Sequence, residues 1–216
     1  MAEEVPEEAD NPYAELDRQV IQLFALVGEA LAGATVSLLT SDRESAKELA
    51  NRDIEIDQRY RAIERLVIDR LSAGNYEPSE LSFFVGLLSM LPEIERSGDL
   101  AEHIARRAIR SLGVEMSPRC RGLVERMGEV ATRMWKIATD AYADRSTSAY
   151  SIVESLDDEM DDLHVTLTAE LVGGSLSLPL AIEMALIARF YERFGDHAVN
   201  LARRAATLQT ASPNGS

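Results

Sequence analysis

The sequence predicts an all-α protein made of two tandem three-helix bundles related by an internal pseudo-twofold. Three observations predict it. Apolar residues recur with the helical period almost throughout, and no stretch sustains β alternation. Two segments are near copies: "ERSGDLAEHIARRA" at 95–108 and "ERFGDHAVNLARRA" at 192–205. Glu95, Arg96, Gly98, Asp99, Ala101, Ala105, Arg106, Arg107 and Ala108 recur as Glu192, Arg193, Gly195, Asp196, Ala198, Ala202, Arg203, Arg204 and Ala205. Finally, the breaks repeat: each half reads long helix, short turn, long helix, longer loop, long helix.

The elements follow in order. The opening "MAEEVPEEADNP" carries five acids and no base and is expected as an acidic disordered tail over 1–12. The first helix is expected over 13–40. Its run Val20–Leu39 is long enough to be mistaken for a membrane span. Yet Val20, Phe24, Val27, Leu31, Thr35 and Leu38 form one stripe, and Gln22 and Glu29 interrupt the apolar run, so an amphipathic core helix is expected. "LLTSDRESAK" (38–47) marks a tight turn into a second helix over 43–73. "SAGNYEPSEL" (72–81) reads as a loop with Ser79 as N-cap of a third helix over 79–112. "SLGVEMSPR" (111–119) is the main boundary, with Pro118 suited to an early helical position. Helices are then expected over 117–144, 146–173 and 178–208, separated by "AYADRSTSAY" (141–150) and "VGGSLSLPL" (172–180). The first repeat spans 13–114, the second 115–208, and 209–216 is a second disordered tail.

With 37 acids against 22 bases the chain has a formal net charge of −15, and about two thirds of that lies outside the opening segment. Nucleic-acid binding is disfavoured, because phosphate backbones are neutralised by Lys and Arg. Cys120 is the only cysteine, so an intrachain disulfide is impossible and a reducing compartment is expected. No basic, then apolar, then small-residue signal opens the chain, and the expectation is a soluble cytoplasmic protein.

The repeat reaches the middle helix of each set. "RDIEID" (52–57) matches "LDDEMD" (156–161), laying Asp53, Glu55 and Asp57 over Asp157, Glu159 and Asp161. Each half therefore holds two acid pairs four residues apart: Asp53/Asp57 with Glu95/Asp99, and Asp157/Asp161 with Glu192/Asp196. A spacing of four puts both carboxylates on one helix face, about 6 Å apart along the axis. Two facing antiparallel helices would gather four carboxylates around one space. An oxygen cage of that kind suits hard cations such as Fe, Mn, Mg or Ca. The expectation is a bound Fe, Mn, Zn or Mg ion and no organic cofactor.

The competing reading is a solvated acidic face with arginine partners: Arg189 for Glu192, and Arg96 or Arg193 for Asp99 or Asp196. The position matching Arg189 is Pro92, so the acid recurs where its cation does not. Gly98 and Gly195 also recur, although an interior helical glycine costs about 1 kcal/mol against alanine. A small residue beside the acids lets a neighbouring backbone or a ligand approach closely. His103 follows Asp99 by four and His164 follows Asp161 by three. His197 adjoins Asp196 but points roughly 100° away around the helix. All three are expected to be structural or exposed, and Trp135 to be core. There is no phosphate-binding GxxxxGK[ST] loop, nucleophile elbow or paired ExxH motif, so no enzymatic activity is expected.

"EIERSGDLAEHIA" and "RFYERFGDHAVNLA", each preceded by an Asp-xxx-Asp on the previous helix, resemble the PhoU family of phosphate-transport regulators. "DDEMDDLH" and "ERFGDHAV" look particularly like actinobacterial members. The resemblance covers roughly 13–208. It implies a fold of two pseudo-twofold-related bundles, and metal ligation through Asp53, Asp57, Glu95 and Asp99 and through Asp157, Asp161, Glu192 and Asp196. It also implies a negative regulator of phosphate uptake that couples the ATPase subunit of a phosphate ABC transporter to a sensor histidine kinase. Such a protein is peripheral to the membrane through its partners, and a homodimer is allowed. The motif departs from the second repeat at Pro92, Ser97 and His103. Two other classes compete. A ferritin-like di-metal oxidase or iron-binding bundle wants Glu-xxx-His pairs, approximated only at Asp161/His164. A histidine phosphotransfer bundle would rest on the three histidines alone.

Overall fold

A computed structural model describes residues 12–110, 112–144, 148–174 and 176–208. It contains six helices: α1 (Pro12–Thr40), α2 (Arg43–Ala73), α3 (Pro78–Ala108), α4 (Pro118–Ala143), α5 (Ala149–Val172) and α6 (Leu178–Leu208). A 3-10 turn at Leu112–Glu115 joins the halves, and no strand occurs among the described residues. Residues 1–11 and 209–216, where the tails are expected, lie outside those residues.

Local chemistry explains where each helix starts and stops. Ser41 closes α1 in the left-handed region (φ 60°), and Asp42 N–H reaches back to Ser37 C=O at 3.0 Å. The Asp42 carboxylate then caps α2 by accepting from Ser45 N–H (3.2 Å) and Ser45 Oγ (2.7 Å). The expected cap at Ser79 is corrected. The N-cap of α3 is Glu77, whose N–H donates to the Glu80 carboxylate at 2.9 Å. Pro78 takes the first helical position, where its missing N–H costs nothing, and that pushes Ser79 into the helix. Pro118 holds the same place in α4, behind Ser117, whose Oγ accepts from Cys120 N–H at 3.1 Å. The third helix ends at Ala108, four residues earlier than expected.

Within each half the three helices pack pairwise, and the halves meet through α1 against α4 and α3 against α6. The buried residues of both bundles form one continuous apolar core. The stripe Val20, Phe24, Val27, Leu31, Thr35 and Leu38 is buried in it, so α1 is a core helix. Among the described residues α1 alone is long and apolar enough to cross a membrane.

The α1/α4 seam carries the pseudo-twofold. A Cβ on Gly28 would lie 3.0 Å from Trp135 Cδ1, and one on Gly128 would lie 2.4 Å from Thr35 Cγ2. The two contacts interchange under a shift of 100 residues, because Gly28 matches Gly128 and Thr35 matches Trp135. Trp135 Nε1 donates to Phe24 C=O (2.8 Å), and its ring packs against Phe24 (5.2 Å) and Phe194 (4.8 Å). Thr35 Oγ1 meets Tyr191 Oη at 2.8 Å, and Tyr142 Oη donates to Asp17 Oδ1 at 2.5 Å. Arg121 donates to the carbonyls of Leu39 and Gly113, tying the end of α1 to the connection between halves.

The second seam runs α3 antiparallel to α6. Arg204 donates to Ser89 C=O at one end (2.9 Å), and Glu183 holds Arg107 (3.1 Å) and Arg110 at the other. His197 is buried between them, with Nδ1 3.1 Å from Ser97 Oγ and Nε2 3.7 Å from Glu93 Oε2. Burial holds its pKa below the usual histidine value, against the pull of Glu93. It is structural, as expected.

Trp135→Ala is expected to cost about 3–5 kcal/mol, the usual range for emptying a buried aromatic site. Because Trp135 touches both halves, urea unfolding followed by circular dichroism should stay a single transition in wild type. Two separate transitions would show that the bundles fold independently.

Candidate functional site

In the first bundle α2 faces α3, and the acids of both helices act on one another. Asp53 is pushed up to about 6, by burial first and then by Glu102, Asp99 and Asp57. Burial also raises Glu95, reinforced by Asp99 and Asp57. Asp99 is raised by burial, with Asp57 and Glu102 adding to it and His103 opposing it. The second bundle repeats the pattern. Asp157 is pushed up to about 6 by burial, then by Asp196, Asp161, Asp158 and Glu192. Glu192 is raised by burial and Asp196, while Arg189 and His164 pull it down. Each half thus gathers the expected acids into one mutually repelling group.

Glu102 belongs to the first group although no reading of the repeat finds it, since the matching residue is Val199. Its spacing of three from Asp99 was the available signal.

Arginines neutralise part of each group. Asp57 pairs with Arg61 at 2.8 Å, Glu192 with Arg189, and Glu102 with Arg106 at 2.5 Å. Arg96 turns instead to Glu93 (3.9 Å), so it does not pair with Asp99. Glu159 leaves the group for Arg126 on α4, at 2.6 Å. Among the described residues, Asp53 Oδ1 is buried without a hydrogen bond. Glu192 Oε2 is also buried and is held only by its ion pair with Arg189. Asp53 Oδ1 is an oxygen that an oxygen-seeking cation would suit, whereas Glu192 Oε2 already meets the Arg189 guanidinium, as the competing reading expects. Among the described residues, no three His, Cys, Asp or Glu side chains converge closely enough to hold an ion as they stand.

The repeated glycines permit close approach beside the acids. A Cβ on Gly98 would lie 3.0 Å from Ile56 Cγ2, and one on Gly195 would lie 3.2 Å from Met134 Cε and 3.4 Å from Asp157 Oδ1. Neighbouring side chains, not backbone, lie against both glycines. Ile56 sits between Asp53 and Asp57 in α2, so Gly98 draws that helix and its acids against α3.

The two remaining histidines stand at the rims. His103 is exposed, 3.5 Å from Glu102 and against the Phe190 ring (5.3 Å). His164 is half-buried and acts on Glu192.

The sign of the pH effect follows. An aspartate raised from 3.8 to about 6 binds more protons folded than unfolded. It therefore favours folding at low pH, and that favour is lost as pH rises through about 6. Asp157→Asn is thus expected to stabilise the metal-free protein above pH 7 by about 1 kcal/mol, after allowing for solvent screening. The gain should fade toward pH 4. Because His197 titrates in both proteins, its opposite contribution cancels in the difference between their melting curves. A gain that does not change with pH would contradict this account.

The comparisons agree on family. The PhoU domain family matches residues 7–108 and 124–205. A phosphate-specific transport system accessory protein, PhoU homolog 1 of Mycobacterium leprae, is 29% identical over 202 residues, covering 92% of this chain and 91% of the relative. The PhoU homolog of Rhizobium meliloti, also a phosphate-specific transport system accessory protein, is 26% identical over 211 residues, covering 95% and 89%. The crystal structure of PhoU from Pseudomonas aeruginosa superposes with a TM-score of 0.86 at 25% identity, over 93% of this chain and 98% of that one. That of the phosphate transport system regulatory protein PhoU from Streptococcus pneumoniae gives 0.82 at 26% identity, over 92% and 95%. With both repeats matched and the six-helix fold shared along its length, the chain belongs to the PhoU family.

Proposed function

We propose that the chain is a non-enzymatic negative regulator of phosphate uptake and phosphate-starvation signalling. In this reading it is a cytoplasmic adaptor between the ATPase subunit of a phosphate ABC transporter and a sensor histidine kinase, and it reaches the membrane only through them. The observation that carries it is the full-length match to relatives named as accessory proteins of phosphate-specific transport. The doubled carboxylate groups supply the second part of the proposal, two cation sites for Fe, Mn, Zn or Mg. Asp157, Asp161, Glu192 and Asp196 would hold one ion, and Asp53, Asp57, Glu95 and Asp99 the other. A bound cation would remove the mutual repulsion of the carboxylates and link the second and third helices of each bundle. Asp53 Oδ1 supports the fit, since it is a buried carboxylate oxygen without a hydrogen-bond donor among the described residues. Closing the site requires rotamer changes of the half-exposed acids, which are inexpensive on a helix surface.

Two measurements test the two parts separately. Deleting the gene should derepress phosphate-starvation transcription under abundant phosphate, once paralogues are excluded. Normal repression in the deletion strain would remove the regulatory reading. Adding Fe, Mn, Zn or Mg to chelator-treated protein should raise its melting temperature. Asp196→Ala and Glu192→Ala should abolish most of that rise, and Asp99→Ala should weaken it less. An unchanged melting temperature, with alanine variants at least as stable as wild type, would mean that the acids form only a charged face.

A further inference from the structure

The first acid group holds one carboxylate more than the second, and the contact between Ile56 and Gly98 fixes where it stands. Ile56 Cγ2 of α2 lies 3.0 Å from the place a Cβ on Gly98 of α3 would take. The two helices are joined by the short connection 74–77 and run antiparallel. At about 1.5 Å per residue, Asp53 lies about 4.5 Å along the axis from that contact. On α3 the same direction leads to Asp99 at about 1.5 Å and to Glu102 at about 6 Å, so Asp53 stands between them. Asp57 lies to the other side of the contact, between Asp99 and Glu95. Of the charges acting on Asp53, that of Glu102 is the largest, ahead of Asp99 and Asp57. All five acids are half-buried, and the Glu102 side chain is only 12% exposed.

The oxygens of this group are unevenly engaged. Asp57 is taken by Arg61 at 2.8 Å, whereas Asp53 Oδ1 is buried without a hydrogen bond among the described residues. Glu102 is committed through one oxygen. Arg106 Nε (2.7 Å) and Nη2 (2.5 Å) both meet its Oε1, while Oε2 lies 3.5 Å from Nδ1 of the exposed His103. Pairing with Arg106 does not by itself account for this glutamate. In the second repeat the arginine recurs as Arg203, yet Val199 replaces the glutamate and Arg203 donates to Asn200 Oδ1 at 2.8 Å. The arginine is kept without a carboxylate partner, and the carboxylate is present only beside Asp53.

We infer that Glu102 is a further ligand of the cation in the first group, which draws that ion to the Asp53–Asp99–Glu102 end and makes the two sites unequal. The inference rests on the cation reading proposed above. The ion takes Asp53 Oδ1, an oxygen of Asp99 and Glu102 Oε2, an all-oxygen set that suits a hard cation such as Mn²⁺ or Mg²⁺. Arg61 keeps Asp57, and Arg106 keeps Glu102 Oε1. Among the described residues the three side chains do not converge as they stand, so their rotamers turn when the ion binds. The second site has no such reserve: Val199 offers no donor atom, and Asp161 and Asp196 are exposed. The same asymmetry explains why Asp99→Ala is expected to matter less than Asp196→Ala. With Asp99 gone, Glu102 still stands beside Asp53.

The test is Mn²⁺ titration calorimetry on the full chain, chelator-treated and carrying Glu192→Ala and Asp196→Ala so that the first site is read alone. In that background Glu102→Gln and Glu102→Val should each weaken binding about tenfold or more, because affinity follows the number of charged ligands. Arg106→Ala should not weaken it. Asp99→Ala combined with Glu102→Val should abolish it. In the complementary background, Asp53→Ala with Asp99→Ala, adding Val199→Glu should tighten binding at the second site. Metal-free melting temperatures separate the alternative, since a glutamate serving only Arg106 would change those and leave the dissociation constant alone. If Glu102→Gln binds Mn²⁺ as tightly as its parent, or Arg106→Ala loses as much as Glu102→Gln, this inference is overturned and the cation reading stands. The same holds if wild type binds Mn²⁺ and the Glu192→Ala/Asp196→Ala parent binds none. If wild type itself binds no Mn²⁺, both fall together.

Discussion

The contact on which the rest depends is the insertion of Trp135 into the notch left by Gly28. Two helices of ordinary composition cannot approach closely enough for an indole on one to lie on the backbone of the other. Gly28 removes the obstacle, and Gly128 does the same for Thr35 at the equivalent place. Each glycine forgoes about 1 kcal/mol of helix propensity. Burying one tryptophan recovers about 4–6 kcal/mol, from 150–250 Å² at roughly 25 cal/mol per Å². Trp135 also touches α6 through Phe194, so the α1/α4 seam orients the α3/α6 seam above it. Without this contact, each bundle would present the apolar side of α1 or α4 to water.

The acid groups follow from that arrangement. Once α1 and α4 occupy the centre, α2 and α5 can pack only on the flanks, each against the third helix of its own bundle. Gly98 lets Ile56 of α2 close on α3, while the space beside Gly195 is filled by Met134 of the central helix α4 with Asp157 Oδ1 of α5 next to it. The same closeness half-buries Asp53 and Asp157 and raises both. A fold selected only for stability would place neutral residues there, because partial burial and like-charge neighbours act in the same unfavourable direction. Both repeats keep the acids while their arginine partners differ between halves, with Arg61 serving Asp57 in one and Arg189 serving Glu192 in the other.

Both signs of charge share α3 and α6: exposed arginines pair with less exposed glutamates, and Asp99 and Asp196 of the acid groups stand on the same two helices. Arg107 is the exception: it lies 4.6 Å over the Phe190 ring and is mostly buried, serving the seam instead of the surface.

The sequence by itself determined the six helices, the repeat and the faces the acids share. All three are local properties: helical period spans a few residues, caps such as Asp42 act on their own turn, and a spacing of four sets a common face. Nothing local says that Gly28 in α1 faces the Trp135 indole in α4, or that Gly128 in α4 faces Thr35 in α1. Tertiary structure alone decided that pairing, together with the entry of Glu102 into the first acid group, the burial of His197 against Ser97, and the filling of the repeated glycine notches by Ile56 and Met134. These depend on which side chains complement each other in volume and charge across separations of up to about 100 residues, and that complementarity exists only once the helices are packed.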